Sequence, residues 1–301
     1  MTRAPDTLRR GFSLIELMVV VAILAIITGQ ILAIFSSQLR TYAGQKAALE
    51  TQDDARLAAD LLFADSRMAG FMIPPVAGLS AVDGGNAAAD ILCLSDPSIM
   101  DDAEVEQTLE RFDGTALAAA VGAGVNTADL DATDLDVDGD GDDDFAVGSG
   151  IILVDGINTH CARITAIAGG TFTFTPRTPV GYAATTAGIA VPAVVYELNN
   201  GLLRNNLLIS RHVEDLQVEF GIDLDDDGQI AGAEFPIHGL FGQDATLVKR
   251  VQLSVLARTA APDETLTGQG RQQVANRAAA GVADNFRRRL ITASATPRNM
   301  L

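Results

Sequence analysis

An unbroken apolar run is the first strong pattern in the chain. From Phe12 to Phe35 the only ionisable side chain is Glu16. A helix rises about 1.5 Å per residue, so this run is long enough to cross a hydrocarbon core of about 30 Å. An unpaired carboxylate in such a span costs about 2.5–3.5 kcal/mol or more in lipid. The pattern therefore predicts a transmembrane helix over residues 12–35 in which Glu16 has a partner.

Beyond Phe35 the helical pattern continues but becomes amphipathic. Charged residues separate apolar ones that recur mostly at steps of three or four. These apolar positions are Leu39, Tyr42, Leu49, Leu57, Leu61, Ala64 and Met68. Gly70 is a typical helix stop, and Pro74-Pro75 cannot continue a helix. We expect one helix from Phe12 to Ala69 within a segment 12–70, whose amphipathic half, 36–70, packs one face against a globular head.

After Pro75 the period changes to two, as in half-buried strands. In such strands we expect apolar side chains to point inward and polar ones, such as Gln217 and Glu219, to point outward. Strands are predicted at 90–94, 150–155, 162–167, 171–175, 194–198, 216–222, 251–255 and 290–296. Glycine-rich turns between them favour a mostly antiparallel sheet. The predicted fold class is α+β, a lollipop with a long N-terminal helix and a β-rich head over 71–301.

Residues 1–11 form a basic leader with three arginines and one aspartate. The positive-inside rule keeps such an end in the cytoplasm and places the head in the periplasm. A secretory signal would end its apolar core at a small-residue cleavage site. Here Gly11 stands before the apolar run instead. Cleavage after Gly11 would therefore remove the leader and leave the hydrophobic helix on the mature protein.

Such cleavage would create a free amine on Phe12, one helical turn from Glu16. The N-terminal amine of a neighbouring copy is then a natural partner for this acid. The segment from Gly11 to Val19 closely resembles the prepilin signature of type IV pilins and type II secretion pseudopilins. The resemblance implies cleavage by a prepilin peptidase, N-methylation of Phe12, and a role for Glu16 in registering subunits in a filament. The alternative is a plain single-pass anchor with an accidental acid.

Weaker segments resemble the PilW group of minor pilins. They are residues 58–71, 213–223, and 251–258 together with 288–299. This resemblance implies a subunit of the inner membrane that joins a type IV pilus on the cell surface, primes assembly or forms part of a tip complex, and supports twitching motility and adhesion. Its implied partners are other major and minor pilins through the N-terminal helix, the inner-membrane assembly platform and membrane lipid. A minor pseudopilin of a type II secretion system and a filament-displayed adhesin are the alternatives.

Composition limits the remaining functions. The net charge is −18 over 301 residues. Because a phosphate backbone would be repelled, we expect no nucleic acid as partner. Cys93 and Cys161 lie in the part that would be exported, which favours one disulfide over two buried thiols.

The acidic loop 223–234 fits the calcium pattern D-x-D-x-D-G-x5-E at every specified position. The expected Ca2+ ligands are Asp223, Asp225, Asp227, the backbone carbonyl of Gln229 and both oxygens of Glu234. A strand precedes the loop and Phe235-Pro236 follows it, so we expect a structural clamp rather than a helix–loop–helix sensor. A solvated acidic turn is the alternative.

The acidic loop 129–144 contains nine aspartates. From Asp136 the D-x-D-x-D-G pattern appears again, although Val147 occupies the twelfth place. Without a cation these carboxylates would repel one another, which predicts a loop ordered by metal. The candidate Ca2+ ligands are Asp136, Asp138, Asp140, Asp142 and Asp144, and a merely solvating loop is the alternative.

Enzymatic signatures do not emerge. His160, His212 and His238 occur singly, with no H-E-x-x-H motif. Gly148-Ser149-Gly150 lacks the spacing of a nucleophile elbow. We therefore expect no enzyme, and a membrane-tethered enzyme is the remaining alternative of that class.

Overall fold

The computed structural model describes residues 13–96, 112–130, 135–136, 143–263, 266–280 and 283–300. By compactness the chain divides into two units, Met1–Leu49 and Glu50–Leu301.

Helix α1, Leu14–Met68, is unbroken. Its bounds agree with the predicted helix to within a residue or two, although Phe12 lies outside the described residues. The most apolar 18-residue window has a mean hydropathy of 2.7, and none of it is buried. By length and composition this helix can cross a membrane.

The described strands are all paired antiparallel, which confirms the α+β class with one long helix and a β-rich head. They are β1 Leu79–Val82, β2 Ile91–Ser95, β3 Thr115–Leu117, β4 Thr127–Asp129, β5 Gly150–Asp155, β6 Asn158–Ala168, β7 Thr171–Thr175, β8 Thr185–Leu198, β9 Leu202–Arg204, β10 Leu207–Ser210, β11 Val213–Ile222, β12 Ile237–His238, β13 Val248–Arg258 and β14 Arg288–Ala295. Short 3-10 helices occur at Pro75–Ala77, Gly232–Glu234, Ala245–Leu247 and Arg298–Met300.

The larger sheet has the order β1-β2-β8-β5-β6-β7-β4, with β3 and β9 also pairing with β8. A disulfide joins Cys93 on β2 to Cys161 on β6, with 5.4 Å between their Cα atoms. Two strands separate β2 from β6 in the sheet, so a flat sheet would put them about 14 Å apart. The sheet therefore curls, and the disulfide lies among fully buried apolar residues inside the curve.

The smaller sheet has the order β12-β11-β13-β14. Its apolar face joins the buried side of the helix segment after Glu50 in one core. The helix contributes mostly small buried residues: Thr51, Ala55, Ala58, Ala59, Leu62 and Ser66. Small side chains let a helix approach a sheet closely, which explains why the amphipathic half carries so many alanines.

The polar face of β11 corrects the prediction of outward-pointing polar side chains. Asp215 and Gln217 are 0% exposed and Glu219 is 8% exposed. Two loops cover this face. Arg271 and Arg277 of the segment 266–280 reach Asp215, and Ile230 lies against Gly221. The alternation of apolar and polar residues correctly predicted which side chains of β11 share a face. It did not predict that loops cover the polar face.

Candidate functional site

The acid that the sequence predicts to act in assembly lies at the start of α1. Glu16 lies in this turn and is exposed. A carboxylate there is favourable because the first backbone N–H groups of a helix lack partners within it. The neighbouring Leu14, Ile15 and Leu17 are 76%, 71% and 60% exposed. Gly11 and Phe12, the two predicted processing residues, lie outside the described residues.

This exposed helix carries a known motif. Residues 7–29 match the family model described as the prokaryotic N-terminal methylation motif. The match supports a type IV pilin-like prepilin. It implies processing by a prepilin peptidase and assembly with other pilins, and it fits a membrane-anchored pilin or pseudopilin before assembly. No curated protein and no solved structure matches the chain.

In the loop 223–234, three carboxylates converge. One oxygen from each of Asp223, Asp225 and Asp227 lies within 4.8 Å of the others. Asp223 is 1% exposed at the end of β11, and its two oxygens accept from the N–H groups of Asp227 at 3.1 Å and Gly228 at 3.0 Å. The left-handed backbone of Asp226 and Gly228, with φ of 57° and 77°, wraps the loop around this point.

Glu234 and Gln229, the two other predicted ligands, make hydrogen bonds within the loop. Glu234 accepts from the N–H of Leu224 at 2.8 Å and from that of Ala231 at 2.9 Å, one to each oxygen. These backbone donors lower the pKa of the Glu234 carboxyl. The Gln229 N–H donates to Asp227 at 2.7 Å. The three aspartates fit a hard cation such as Ca2+, whereas Glu234 fastens the far end of the loop to its start.

In the second acidic loop, 129–144, the structure describes residues 129–130, 135–136 and 143–144. Asp138, Asp140 and Asp142 lie outside the described residues. The N–H of Asp144 donates to the carbonyl of Leu135 at 2.9 Å, next to Asp136, so the backbone closes the loop at its base.

The histidines occupy separate surroundings. His160 is buried, and its Nε2 lies 3.0 Å from the carbonyl oxygen of Pro176. Burial lowers the pKa of its imidazole. His238 lies in the two-residue strand β12.

His212 contacts helix α1. Its Nδ1 lies 2.6 Å from Oδ2 of Asp54, which also accepts from Ser210 Oγ at 3.1 Å. The imidazole and hydroxyl therefore share one carboxylate oxygen. In this arrangement the imidazole does not stand between serine and aspartate, as a proton relay requires. The contact instead fastens the helix to the start of β11.

A second acid on the helix makes a similar contact. Asp65 Oδ2 accepts from Tyr196 Oη at 2.6 Å and from Arg204 Nε at 2.9 Å. Burial and the nearby carboxylate raise the pKa of the Tyr196 hydroxyl. Sequence reasoning did not single out Asp54 and Asp65. Their spacing of three helical turns, which puts both on one side of α1, is the signal that was available.

Proposed function

We propose that this chain is a PilW-like minor pilin that joins a type IV pilus and primes its assembly or belongs to its tip complex. The observation that carries the proposal is the methylation motif at residues 7–29, directly continuous with an apolar helix whose side chains are exposed. A head over residues 71–301, much larger than that of a major pilin, suits a specialised position in the filament.

In this proposal Glu16 acts between subunits. The prepilin peptidase cuts after Gly11, and the new amine of Phe12 in one subunit neutralises Glu16 of the next. Pairing removes the cost of a lone carboxylate among apolar helices. The platform in the inner membrane then adds the subunit to the growing filament. The chain is assigned no catalytic activity.

The decisive experiment compares Glu16→Ala with the natural chain in a strain lacking the gene. We expect the variant to be processed and inserted into the membrane but absent from sheared filaments. Incorporation at the normal level would refute the assembly role. Replacement of Gly11 by a bulky residue provides a separate check, because unprocessed precursor should accumulate.

A minor pseudopilin of a type II secretion system is the second candidate, because the same motif fits both classes. A deletion strain separates them: loss of twitching with normal exoprotein secretion supports the pilus, and the reverse supports the secretion system. Binding of the displayed head to a surface would add the adhesin role.

We further propose that Ca2+ stiffens the head at the loop 223–234. The three converging aspartates and the complete match of the loop to the calcium pattern support this site. The loop 136–144 is proposed as a second site from its sequence alone.

A further inference from the structure

Strand β14 forms one edge of the smaller sheet. Within the described part of the chain it pairs with β13 alone, at the end of the order β12-β11-β13-β14. Its eight residues pair with β13 in unbroken register, with no bulge. The opposite edge strand, β12, is two residues long, and the edge strands β1 and β4 of the larger sheet have four and three residues. The edge of β14 is therefore longer and more regular than these.

The hydrogen-bond pattern shows which backbone groups of β14 point away from β13. The Thr259 N–H donates to the carbonyl of Arg287 at 2.9 Å, one position beyond the paired residues Arg258 and Arg288. In an antiparallel ladder, hydrogen-bonded pairs alternate with pairs whose N–H and C=O groups point outward. Every second residue of β14 therefore presents both backbone groups at the free edge. These outward residues are Arg288, Leu290, Thr292 and Ser294.

The outward backbone groups form a row of free donors and acceptors. Among the described residues, no second strand pairs with this row and no loop makes a backbone hydrogen bond to it. The side chains of Leu290, Thr292 and Ser294 are exposed as well. An extended strand fits such a row, because its own N–H and C=O groups have the matching spacing.

The composition of β14 gives this edge little protection. Natural edge strands are commonly protected by shortness, bulges, proline or charge. From Leu290 to Ala295 the strand has neither a charge nor a proline. Its two charges lie at its start, where Glu214 and Asp284 hold the guanidinium of Arg288. An edge with these properties is a template for another strand.

We propose that the edge of β14 binds β14 of a second copy of this chain in antiparallel orientation, which joins the two smaller sheets into one. This inference goes beyond the proposed role in assembly and does not rest on it.

The strand is self-complementary in this orientation. When Leu290 lies beside Thr292 of the second copy, Arg289 lies beside Ala293. The basic start of each strand then meets the uncharged end of the other, whereas parallel pairing in register would put like charges side by side. The four outward residues of each strand form about eight hydrogen bonds in this register, two for each residue pair.

Sedimentation equilibrium of the full chain in detergent measures the pairing. The net charge of −18 makes two copies repel each other, so the experiment uses about 0.15 M salt, which screens charges beyond about 8 Å. We expect the natural chain to dimerise under these conditions.

Leu290→Pro is the test variant, because it removes an outward N–H and no bond to β13. Proline is tolerated at edge positions whose N–H faces solvent. The variant should dimerise at least about tenfold more weakly, because each copy leaves a carbonyl of the other without its donor. Leu290→Val is the matched control: it keeps the N–H and should dimerise within about twofold of the natural chain.

A natural chain that stays monomeric overturns the inference. So does a Leu290→Pro variant that dimerises as strongly as the natural chain, since that result would place the contact elsewhere, for example in α1. Protection of the β14 amides from hydrogen exchange only in the presence of a different protein would assign the edge to that protein and equally overturn the pairing of two copies.

If Leu290→Pro fails to fold, cross-linking decides. Both cysteines of the chain are joined in the disulfide, so a cysteine introduced at Thr292 is its one free thiol. A short dimaleimide should link two Thr292→Cys copies but not two Ile157→Cys copies, whose cysteine lies at an exposed turn of the larger sheet. No link at Thr292, or equal links at both positions, overturns the inference.

Discussion

The hydroxyl of Tyr196 donates to Asp65 over 2.6 Å, joining the central strand β8 to the helix segment after Glu50. Arg204 reaches the same oxygen from β9 at 2.9 Å. Alanines form much of the helix side of this interface, and each buries little apolar area. The acid contacts are therefore an important part of what holds the helix in place.

Asp65→Ala should lower the free energy of unfolding by about 2 kcal/mol, because it leaves the buried Tyr196 hydroxyl without an acceptor and Arg204 without its carboxylate partner. Urea unfolding of the full chain in detergent measures the loss. Asp60→Ala, at an exposed position on the same helix, is the control and should change stability by less than about 0.5 kcal/mol. Equal effects of the two variants would contradict the importance of the contact.

Removing the disulfide should destabilise the larger sheet. Cys93 and Cys161 are separated by 68 residues in sequence, and a closed loop of that length corresponds to about 4 kcal/mol of unfolded-state entropy. The double variant Cys93→Ala/Cys161→Ala should unfold at a clearly lower temperature. Single variants, each leaving an unpaired buried thiol, provide the comparison. If the double variant had the same melting temperature as the natural chain, the disulfide would contribute little to stability.

Calcium should raise the melting temperature of the natural chain relative to chelator, since a ligand that binds only the folded state stabilises it. Asp225→Asn/Asp227→Asn should reduce this shift. Asp226→Asn is a matched control, because it removes one charge from the same loop while asparagine tolerates the left-handed backbone there. A full shift in the double variant would place binding elsewhere, and the loop 136–144 would be examined next.

Acid should weaken the start of β14. Asp284 accepts hydrogen bonds from Arg288, and these are the main reason why the pKa of its carboxyl is lowered to about 2. A lowered pKa contributes stability that is present above the ordinary pKa near 4 and is lost as the pH falls through about 2. Asp284→Asn should cost about 1 kcal/mol at neutral pH, because the site is partly exposed. Unfolding experiments at pH 7 and pH 2.5 check this: the difference in free energy of unfolding between the variant and the natural chain should be smaller at pH 2.5.

Local pattern was sufficient for the main elements. An unbroken apolar run from Phe12 to Phe35 predicted the first half of α1. Helical periodicity from Leu39 to Met68 predicted the second half, because one buried stripe repeats wherever a helix lies on a core. The strands 150–155 and 171–175 were predicted with their observed bounds. The other predicted strands were shifted or too short because strand ends depend on their partners. The calcium pattern predicted that the three aspartates of 223–227 converge, and they do, because their contacts lie within one short loop.

What the sequence by itself determined is therefore everything carried by neighbours along the chain: the apolar helix, its acid, the leader motif and the aspartate-rich loop. Only the tertiary structure decided which distant groups meet. It paired Asp65 with Tyr196, brought Arg271 and Arg277 to Asp215 and buried the polar face of β11. These outcomes depend on how loops far apart in sequence close over a sheet, and no short-range periodicity encodes that closure.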